Sequence, residues 1–586
     1  MSVGGQRRRL APAPMPPEAP ATVDRLRRGL DHKRIGRAYL WTAFGALLFG
    51  GLMAIAIRWQ WVNPQASIPF LGQLTPSAYT ALFTQHGLVM IFFAIGPLLM
   101  GAMGTLVLPL LVGARNLAFP RISRLSLWFY LASVGALVAG LFAPLGPANT
   151  GWTLYPPLSS WVGSPGSGVS WALLALILNG TSSCLVSANV LATLVGRRAP
   201  GMTFFRLPLT AWGLGYTALL NLMFLPILMA GGLLLMGDRL WGGEVFIAGA
   251  GARLPAGDPL LFQHLFWMFG HPQVYILILP AWGLIGDLFA HFARRPPHWY
   301  RATVSAMGAI VLLSGLVYAH HMFTVGLTST LNRAFSTLTL LISLPSLVLY
   351  LNWLFTISRA RVRLKSPMVG AICAALVFGL GGVTGLMLGA QTTDLQLHDT
   401  LWVVGHFHLT MGASSFLAVF AAIAYWFPRF TGRRMHEGWA NLHLVGTAIL
   451  FVAVFGLMHV SGWGGQHRRQ VDPHDGERFA ALRPVTVGTS HAAFLLGAWQ
   501  LIFVGNFAWS LLRGPKSEQN PWEVGTLEWT AAPMPLPLEN FPEIPTVLRG
   551  PHAYALSDLP PGASRDWIGQ AERPAPSANP APEGGA

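Results

Sequence analysis

Charge is the scarcest commodity in this chain. Only 10% of its 586 residues are Asp, Glu, Lys or Arg, against 53% that are hydrophobic. No hydrophilic region is large enough to form a separate soluble domain, which excludes a multidomain cytosolic protein. Cysteine is nearly absent. Cys184 and Cys373 lie in different apolar spans, so they read as small buried residues, neither a disulfide nor a CxxC metal site. No internal repeat is visible. Carboxylates are outnumbered by cations, 22 to 38, for a formal net charge of +16. That excess would suit nucleic acid, but the Lys and Arg sit in short loops and tails between apolar runs. This is the pattern of topology charges, and no nucleic-acid partner is expected.

What fills the chain is hydrophobic sequence, with a mean hydropathy of +0.50. Apolar runs of spanning length recur almost throughout, which predicts an all-α membrane protein, a bundle of about twelve transmembrane helices in a lipid bilayer. The expected spans are 38–58, 79–111, 125–145, 169–195, 215–236, 260–290, 302–323, 335–357, 368–390, 399–427, 440–462 and 488–512. Residues 1–37 form a basic Pro-rich cytoplasmic tail, 38–512 the helical core, and 513–586 a polar, Pro-rich tail expected to lie along the cytoplasmic face, whose last stretch reads as disordered. No apolar core precedes the first span, so 1–37 is not read as a cleaved signal peptide.

Arginines sort the loops by side. Arg115, Arg121, Arg197, Arg198, Arg294, Arg295, Arg359, Arg361, Arg433 and Arg434 all follow even-numbered spans, while loops 59–78 and 146–168 have almost none. The positive-inside rule then puts both termini in the cytoplasm, as in a multi-pass bacterial-type plasma-membrane protein. Arg239, Arg253, Arg333, Arg483 and the pair Arg468–Arg469 are exceptions on the outer side.

Chemistry concentrates in Leu397–Met411, LHDTLWVVGHFHLTM. On an α-helix, His406 and His408 stand roughly 200° apart, so one helix can face a metal centre on each side. His86 and His271 fall about two and three turns into spans that start outside, and His320–His321 lie near the outer end of a span running outward. All six histidines share one depth, in the outer half of the membrane. Ionisable residues there are costly and usually functional, and a shared depth points to metals held between helices. Imidazole suits iron and copper. Six allow two ligands to one haem, one to a second haem and three to a copper. His320 and His321 could share an ion with His271. Tyr275 lies one turn from His271 on the same face, where a phenol could give a proton and an electron to substrate; a packed tyrosine would look the same in sequence.

At this point the residues resemble a known family, subunit I of the haem–copper oxygen reductases, and most closely the A-type cytochrome c oxidases. The resemblance rests on TQHGLVMIFF (84–93), GWTLYPPLS (151–159), GDPLLFQHLFWMFGHPQVYILILP (257–280), AHHMFTVG (319–326), LHDTLWVVGHFHL (397–409) and NPWEVGTLEW (520–529), and it covers nearly the whole chain. It implies that His86 and His408 ligate a low-spin haem and His406 a high-spin haem, both expected to be of A type. It implies that His271, His320 and His321 hold copper B, that Tyr275 is cross-linked to His271, and that Phe407 lies between the haems. Arg468 and Arg469 match a pair that binds haem propionates, and Asp394 a carboxylate near them. Trp152 and Trp267 match tryptophans near the haem edges. Arg58 matches an arginine at the low-spin haem's formyl group. His398 and Asp399 match ligands of an outer Mg or Mn site completed by another subunit. The implied partners are a copper-bearing subunit II, subunit III, cytochrome c and O2, and the implied reaction is reduction of O2 to water.

The sequence departs from that family where protons travel. A-type relatives take protons in through an aspartate after the second span, a glutamate two residues beyond the copper histidine, and a lysine in the eighth span. Here those positions hold Asn116, Gln273 and Leu349, and Ser123 and Arg124 replace part of an asparagine-rich stretch. Neither side-chain amide titrates in the accessible range, and leucine cannot even hydrogen-bond. The expectation is weak proton pumping or none, with chemical protons moving along hydroxyls of span eight. Thr337, Thr339, Ser343, Ser346 and Tyr350 are its candidates, Ser346 first. Ala78 and Ala81 stand where quinol-oxidising relatives place polar residues, which favours cytochrome c as donor. Gln273 and Tyr275 argue against a nitric oxide reductase. A transporter would show broken helices and inverted repeats.

Overall fold

The computed structural model of the chain describes residues 29–69, 71–247, 257–554 and 565–573. Most of the N-terminal tail, Arg253 and the Pro-rich end beyond Arg573 lie outside the described residues. The helices in order are α1 His32–Val62, α2 Pro76–Leu111, α3 Pro120–Leu141, α4 Gly168–Gly196, α5 Leu209–Trp241, α6 Pro259–Ala293, α7 Tyr300–Ser314, α8 Ser329–Ile357, α9 Ser366–Gly389, α10 Leu401–Thr431, α11 Glu437–Trp463 and α12 Arg483–Arg513. Among the described residues, eleven are long and apolar enough to cross a membrane, and α7 is apolar but has only 15 residues. No strand occurs among the described residues, only isolated bridges.

Local chemistry sets the helix starts. Side chains of Asp31, Thr75, Asp258, Thr328 and Thr400 accept from backbone N–H groups of the first turns they precede, and Pro76 and Pro259 occupy first positions. Each such cap contributes about 1 kcal/mol. α1 begins ahead of the expected residue 38 because the C-terminal segment covers its first turn. His32 Nε2 meets Asn540 Oδ1 at 3.0 Å, and Lys33 Nζ donates to the Leu538 carbonyl at 2.9 Å.

The span expected at 302–323 is corrected. α7 stops at Ser314, and Tyr318–Met322 forms a 3₁₀ turn carrying His320 and His321. Gly315 caps α7 where it packs against α5, since a Cβ there would lie 2.5 Å from Phe224 Cζ.

The central helix is α6, buried along its whole apolar length, whereas α1, α8 and α12 fully bury only a small share of theirs. α5 and α6 touch backbone to backbone. A Cβ on Gly213 would lie 2.4 Å from the Leu279 carbonyl oxygen, and one on Gly283 2.4 Å from that of Leu209. Small residues that let helices approach this closely are a main source of helix association in lipid. Asp287 of α6 also caps α5, accepting from Leu209 N at 2.9 Å and Thr210 N at 2.8 Å.

The C-terminal segment, expected to lie along a face, is wedged into the bundle. Leu527, Glu528, Trp529 and Asn540 are buried, and Trp529 Nε1 donates to the Tyr425 hydroxyl at 2.9 Å. Ion pairs Arg115–Glu539, Arg294–Asp566 and Arg363–Glu523 tie it to the arginine-rich loops. The start of α1, this segment and those loops therefore share one end of the bundle. At the opposite end Arg239, an outer-side exception, is buried. It donates to the carbonyls of Ser159 at 2.6 Å, Ser164 at 3.0 Å and Gly166 at 2.7 Å, and so fastens loop 142–167.

Candidate active site

α2 and α10 bring His86 and His408 together. Both helices widen into π segments, Val89–Ile95 and Pro97–Gly104 in α2 and His408–Ala413 in α10. Such irregularities are frequent at functional positions. The two imidazole planes lie within 10° of each other, with centroids 6.5 Å apart. His86 Nδ1 donates to the Gly50 carbonyl at 2.9 Å and His408 Nδ1 to that of Val404 at 2.9 Å. A carbonyl partner fixes the proton on Nδ1 and leaves the Nε2 lone pair for a metal. Two metal–nitrogen bonds of ~2.0 Å set ligand rings about this far apart, so the pair fits one ion held between them. The Arg58 guanidinium lies over the Trp61 ring, and its Nη1 is buried without a partner. A polar acceptor placed there would satisfy that N–H group.

His406 points to the other side of α10, as the spacing predicts. Its Nδ1 meets the Gly381 carbonyl at 3.0 Å and Thr384 Oγ1 at 3.1 Å, again freeing Nε2. α9 offers glycine to this ring, since a Cβ on Gly385 would lie 2.6 Å from His406 Cε1. Phe407 sits between the two histidines in sequence, its ring 4.4 Å from that of His408.

His271, His320 and His321 converge, with one ligand nitrogen from each lying within 4.8 Å of the others. His320 Nδ1 donates to Thr339 Oγ1 at 2.9 Å, and that hydroxyl donates onward to the Phe335 carbonyl at 2.6 Å. Nε2 of His271 and Nε2 of His321 are buried with no partner. A buried polar atom left so costs roughly 1–3 kcal/mol, and a three-imidazole donor set of this kind is suited to copper. The Tyr275 ring is 4.9 Å from that of His271. Trp267 stacks on His321 at 3.9 Å and donates to the Tyr155 hydroxyl, and Trp152 packs against Trp267 at 6.1 Å. The 3₁₀ turn sets His320 and His321 about 120° apart, where an α-helix would set them about 100° apart.

Above these rings lies a charged layer. Arg468 pairs with Asp399, and Arg469 lies beside Gly151, its guanidinium 5.7 Å from the centroid of Phe83. Desolvation by the atoms packed around it would raise the Asp399 carboxyl, but that side chain stays largely exposed, and the Arg468 guanidinium outweighs the effect and holds it below its ordinary value. Burial raises Asp394, against the pull of His398, whose Nδ1 it meets at 2.9 Å. His398 and Asp399 thus face different partners. Among the described residues only His271, His320 and His321 form a three-ligand cluster, so this chain alone does not assemble the outer cation site.

Of the proton-route positions, Asn116 binds the Leu30 carbonyl at 3.1 Å, while Gln273 and Leu349 are buried. Thr337 is exposed, Thr339 supports His320, and the Ser346 hydroxyl donates to Ile342 of its own helix at 3.2 Å. Gly50, Gly381 and Thr384 support these rings without having been singled out in the sequence, and Thr339, singled out as a proton-route hydroxyl, supports His320. A glycine-rich face, GLGGVTG in α9, was the available signal.

Residues 34–517 match the family model described as cytochrome c and quinol oxidase polypeptide I. The chain belongs to that family, subunit I of the haem–copper oxidases. It is 37% identical over 545 residues to "Cytochrome c oxidase subunit 1" of Thermostichus vulcanus, covering 93% of this chain and 95% of the relative. It is 36% identical over 538 residues to "Alternative cytochrome c oxidase subunit 1" of Bradyrhizobium diazoefficiens, covering 89% and 90%. "Heme-copper oxidase subunit I+III" of Aeropyrum pernix is 37% identical over 522 residues, 88% of this chain and 61% of that fused relative. A solved heme-copper terminal oxidase dimer shares the fold, with a TM-score of 0.65, 19% identity, and 83% and 85% coverage. Haem–copper oxidase subunit I is the catalytic subunit of a terminal oxidase and an integral membrane protein. The family carries haem and copper B and works with subunit II and others.

Proposed function

We propose that this chain reduces O2 to water with electrons from cytochrome c, delivered through a copper-bearing subunit II. The observation that carries the reading is the three-imidazole cluster of His271, His320 and His321, with Tyr275 one turn away and His406 on the neighbouring helix. The haems and copper, when bound, supply the redox chemistry and the place where oxygen is held. His86 and His408 hold the low-spin haem, expected to be of A type, and His406 the high-spin one. Tyr275 gives a proton and an electron from its hydroxyl when the O–O bond is broken. Arg468 and Arg469 hold propionates, Trp152 and Trp267 wall the haem edges, and Arg58 binds the formyl oxygen. His398 and Asp399 complete a Mg or Mn site only with subunit II. We read the short α7 with its 3₁₀ turn as a twelfth span, and both termini as cytoplasmic in a bacterial plasma membrane.

A reduced-minus-oxidised spectrum with metal analysis tests the core of this reading, and two haem irons and one copper per chain are expected. Oxygen uptake with reduced cytochrome c against quinol tests the donor, for which Ala78 and Ala81 are the support. Loss of acid or lysine at 116, 273 and 349 supports weak pumping. Proton release from proteoliposomes well below one per electron is expected, and a full pumped proton would overturn it.

A further inference from the structure

At the tail end of α6, Asp287 and His291 meet side chains brought by the C-terminal segment. Glu528 and His552 are buried there with them, and the Tyr554 hydroxyl is buried too. His552 Nε2 donates to Asp287 Oδ1 at 3.0 Å. His291 Nδ1 meets the Tyr425 hydroxyl at 3.1 Å, and its ring centroid is 5.1 Å from that of His552. Five buried polar atoms in this layer lack a partner: His291 Nε2, His552 Nδ1, Glu528 Oε2, Tyr554 Oη and Arg429 Nε. Left dry, each would cost roughly 1–3 kcal/mol. Ordered water satisfies such groups in folded proteins, each molecule taking two to four partners. The layer is not among the three-ligand metal clusters of the described residues.

The surrounding charges divide the roles. Asp287 accepts from two backbone N–H groups, from Thr210 Oγ1 and from His552, the donor set of a permanent carboxylate. Arg294 pairs with Asp566 and lies over the Tyr554 ring, Arg363 pairs with Glu523, and Arg429 lies over Trp529. Burial pushes the Glu528 carboxyl up to about 7, Asp287 adding to the rise while Thr526 and Arg429 oppose it. Its Oε1 accepts from Thr526 Oγ1 at 2.8 Å, so Oε2 is the atom free to carry a proton. Among the described residues the other buried carboxylates are Asp31, paired with Lys33, and Asp394, at the opposite end beside His398. From Asp287, α6 runs to Tyr275 in ~18 Å at 1.5 Å per residue.

We propose that Glu528, with His291, His552 and the water between them, forms a proton-loading site at the tail end of α6 that takes protons from the aqueous phase and supplies the oxygen chemistry at the other end. It rests on the oxidase reading for its destination, since oxygen reduction consumes protons and positions 116, 273 and 349 cannot carry them. A proton bound at Oε2 leaves water and, passed on, restores the carboxylate; no electron moves at this site.

Infrared spectroscopy of the assembled enzyme tests the site directly. A protonated-carboxyl band titrating between about pH 6 and 8, shifted in D2O and lost in Glu528→Gln, is expected. Dye-detected proton uptake on anaerobic reduction should fall in Glu528→Gln and in His291→Gln, with the reduced haem spectrum unchanged and turnover down ~10-fold or more. A wild-type enzyme with no such band overturns the proposal even if the variants fail to assemble. So does a Glu528→Gln enzyme that keeps the band, or whose uptake and turnover stay within about twofold of wild type. A chain that consumes no oxygen with either donor sinks the oxidase reading and the proton's destination with it. The titrating band then still decides whether the site exists.

Discussion

The two histidine groups are held in different ways. His86 and His408 stand on long helices, and backbone carbonyls of Gly50 and Val404 lock their rings. The trio depends on a 3₁₀ turn and on one side-chain hydroxyl, that of Thr339. Backbone carbonyls on a helix survive nearly any substitution, whereas a hydroxyl is lost with a single change. The pair should therefore be the robust half of the site and the trio the tunable half.

The largest effects should come from removing ligands. His408→Ala should abolish the low-spin haem band and leave the high-spin site partly assembled, and His406→Ala should do the reverse. Optical spectra of both variants check this, and a full low-spin spectrum in each would break the division. Next is Tyr275→Phe, expected to cut oxygen reduction by ~100-fold or more while haem content persists, read as oxygen uptake per haem. Thr339→Val sharpens the comparison most. It removes the hold on His320 and should weaken copper binding by ~10-fold, measured by copper analysis, without touching the low-spin band. No carbonyl-held histidine offers an equivalent single-residue weakness.

Two smaller effects follow from groups outside the histidine sites. Ser346→Ala should slow turnover by a few-fold if span-eight hydroxyls relay chemical protons; unchanged oxygen uptake removes that route while leaving the pumping measurement to stand alone. The smallest concerns Asp399. Its carboxyl is held below the ordinary value of ~3.9, so the pair with Arg468 contributes fully above that pH and is lost as pH falls through the lowered value. The Asp399 side chain is 59% exposed, so Asp399→Asn should cost no more than ~1 kcal/mol at neutral pH and flatten part of the acid limb of thermal stability.

Much of the fold was legible because apolar runs announce spans and arginines announce loops. The histidines were legible because charge-capable residues in lipid have few structural excuses. The end of α7 was not, because AHHMF is as apolar as a helix and follows α7 with no proline to mark a stop. The tail's insertion was hidden for the opposite reason. Proline and charge suggested a surface strand of chain, while Trp522, Leu527 and Trp529 supply enough apolar area to anchor it between helix ends. The left-handed backbone at Asp399 (φ +56°) had no signal in the sequence either, since a non-glycine residue there depends on its surroundings.

Arg239 carries a consequence for how the chain is made. The three carbonyls it binds, Ser159, Ser164 and Gly166, leave the ribosome well before it does, Ser164 by 75 residues. At ~5–20 residues per second that is a wait of roughly 4–15 s. Throughout it loop 142–167 has no guanidinium to organise it and its carbonyls are satisfied by water. The loop that carries Trp152 is therefore shaped only after α5 has been inserted, yet before His271, His320, His321, His406 and His408 have been made, so it is in place before the ligand sets are complete.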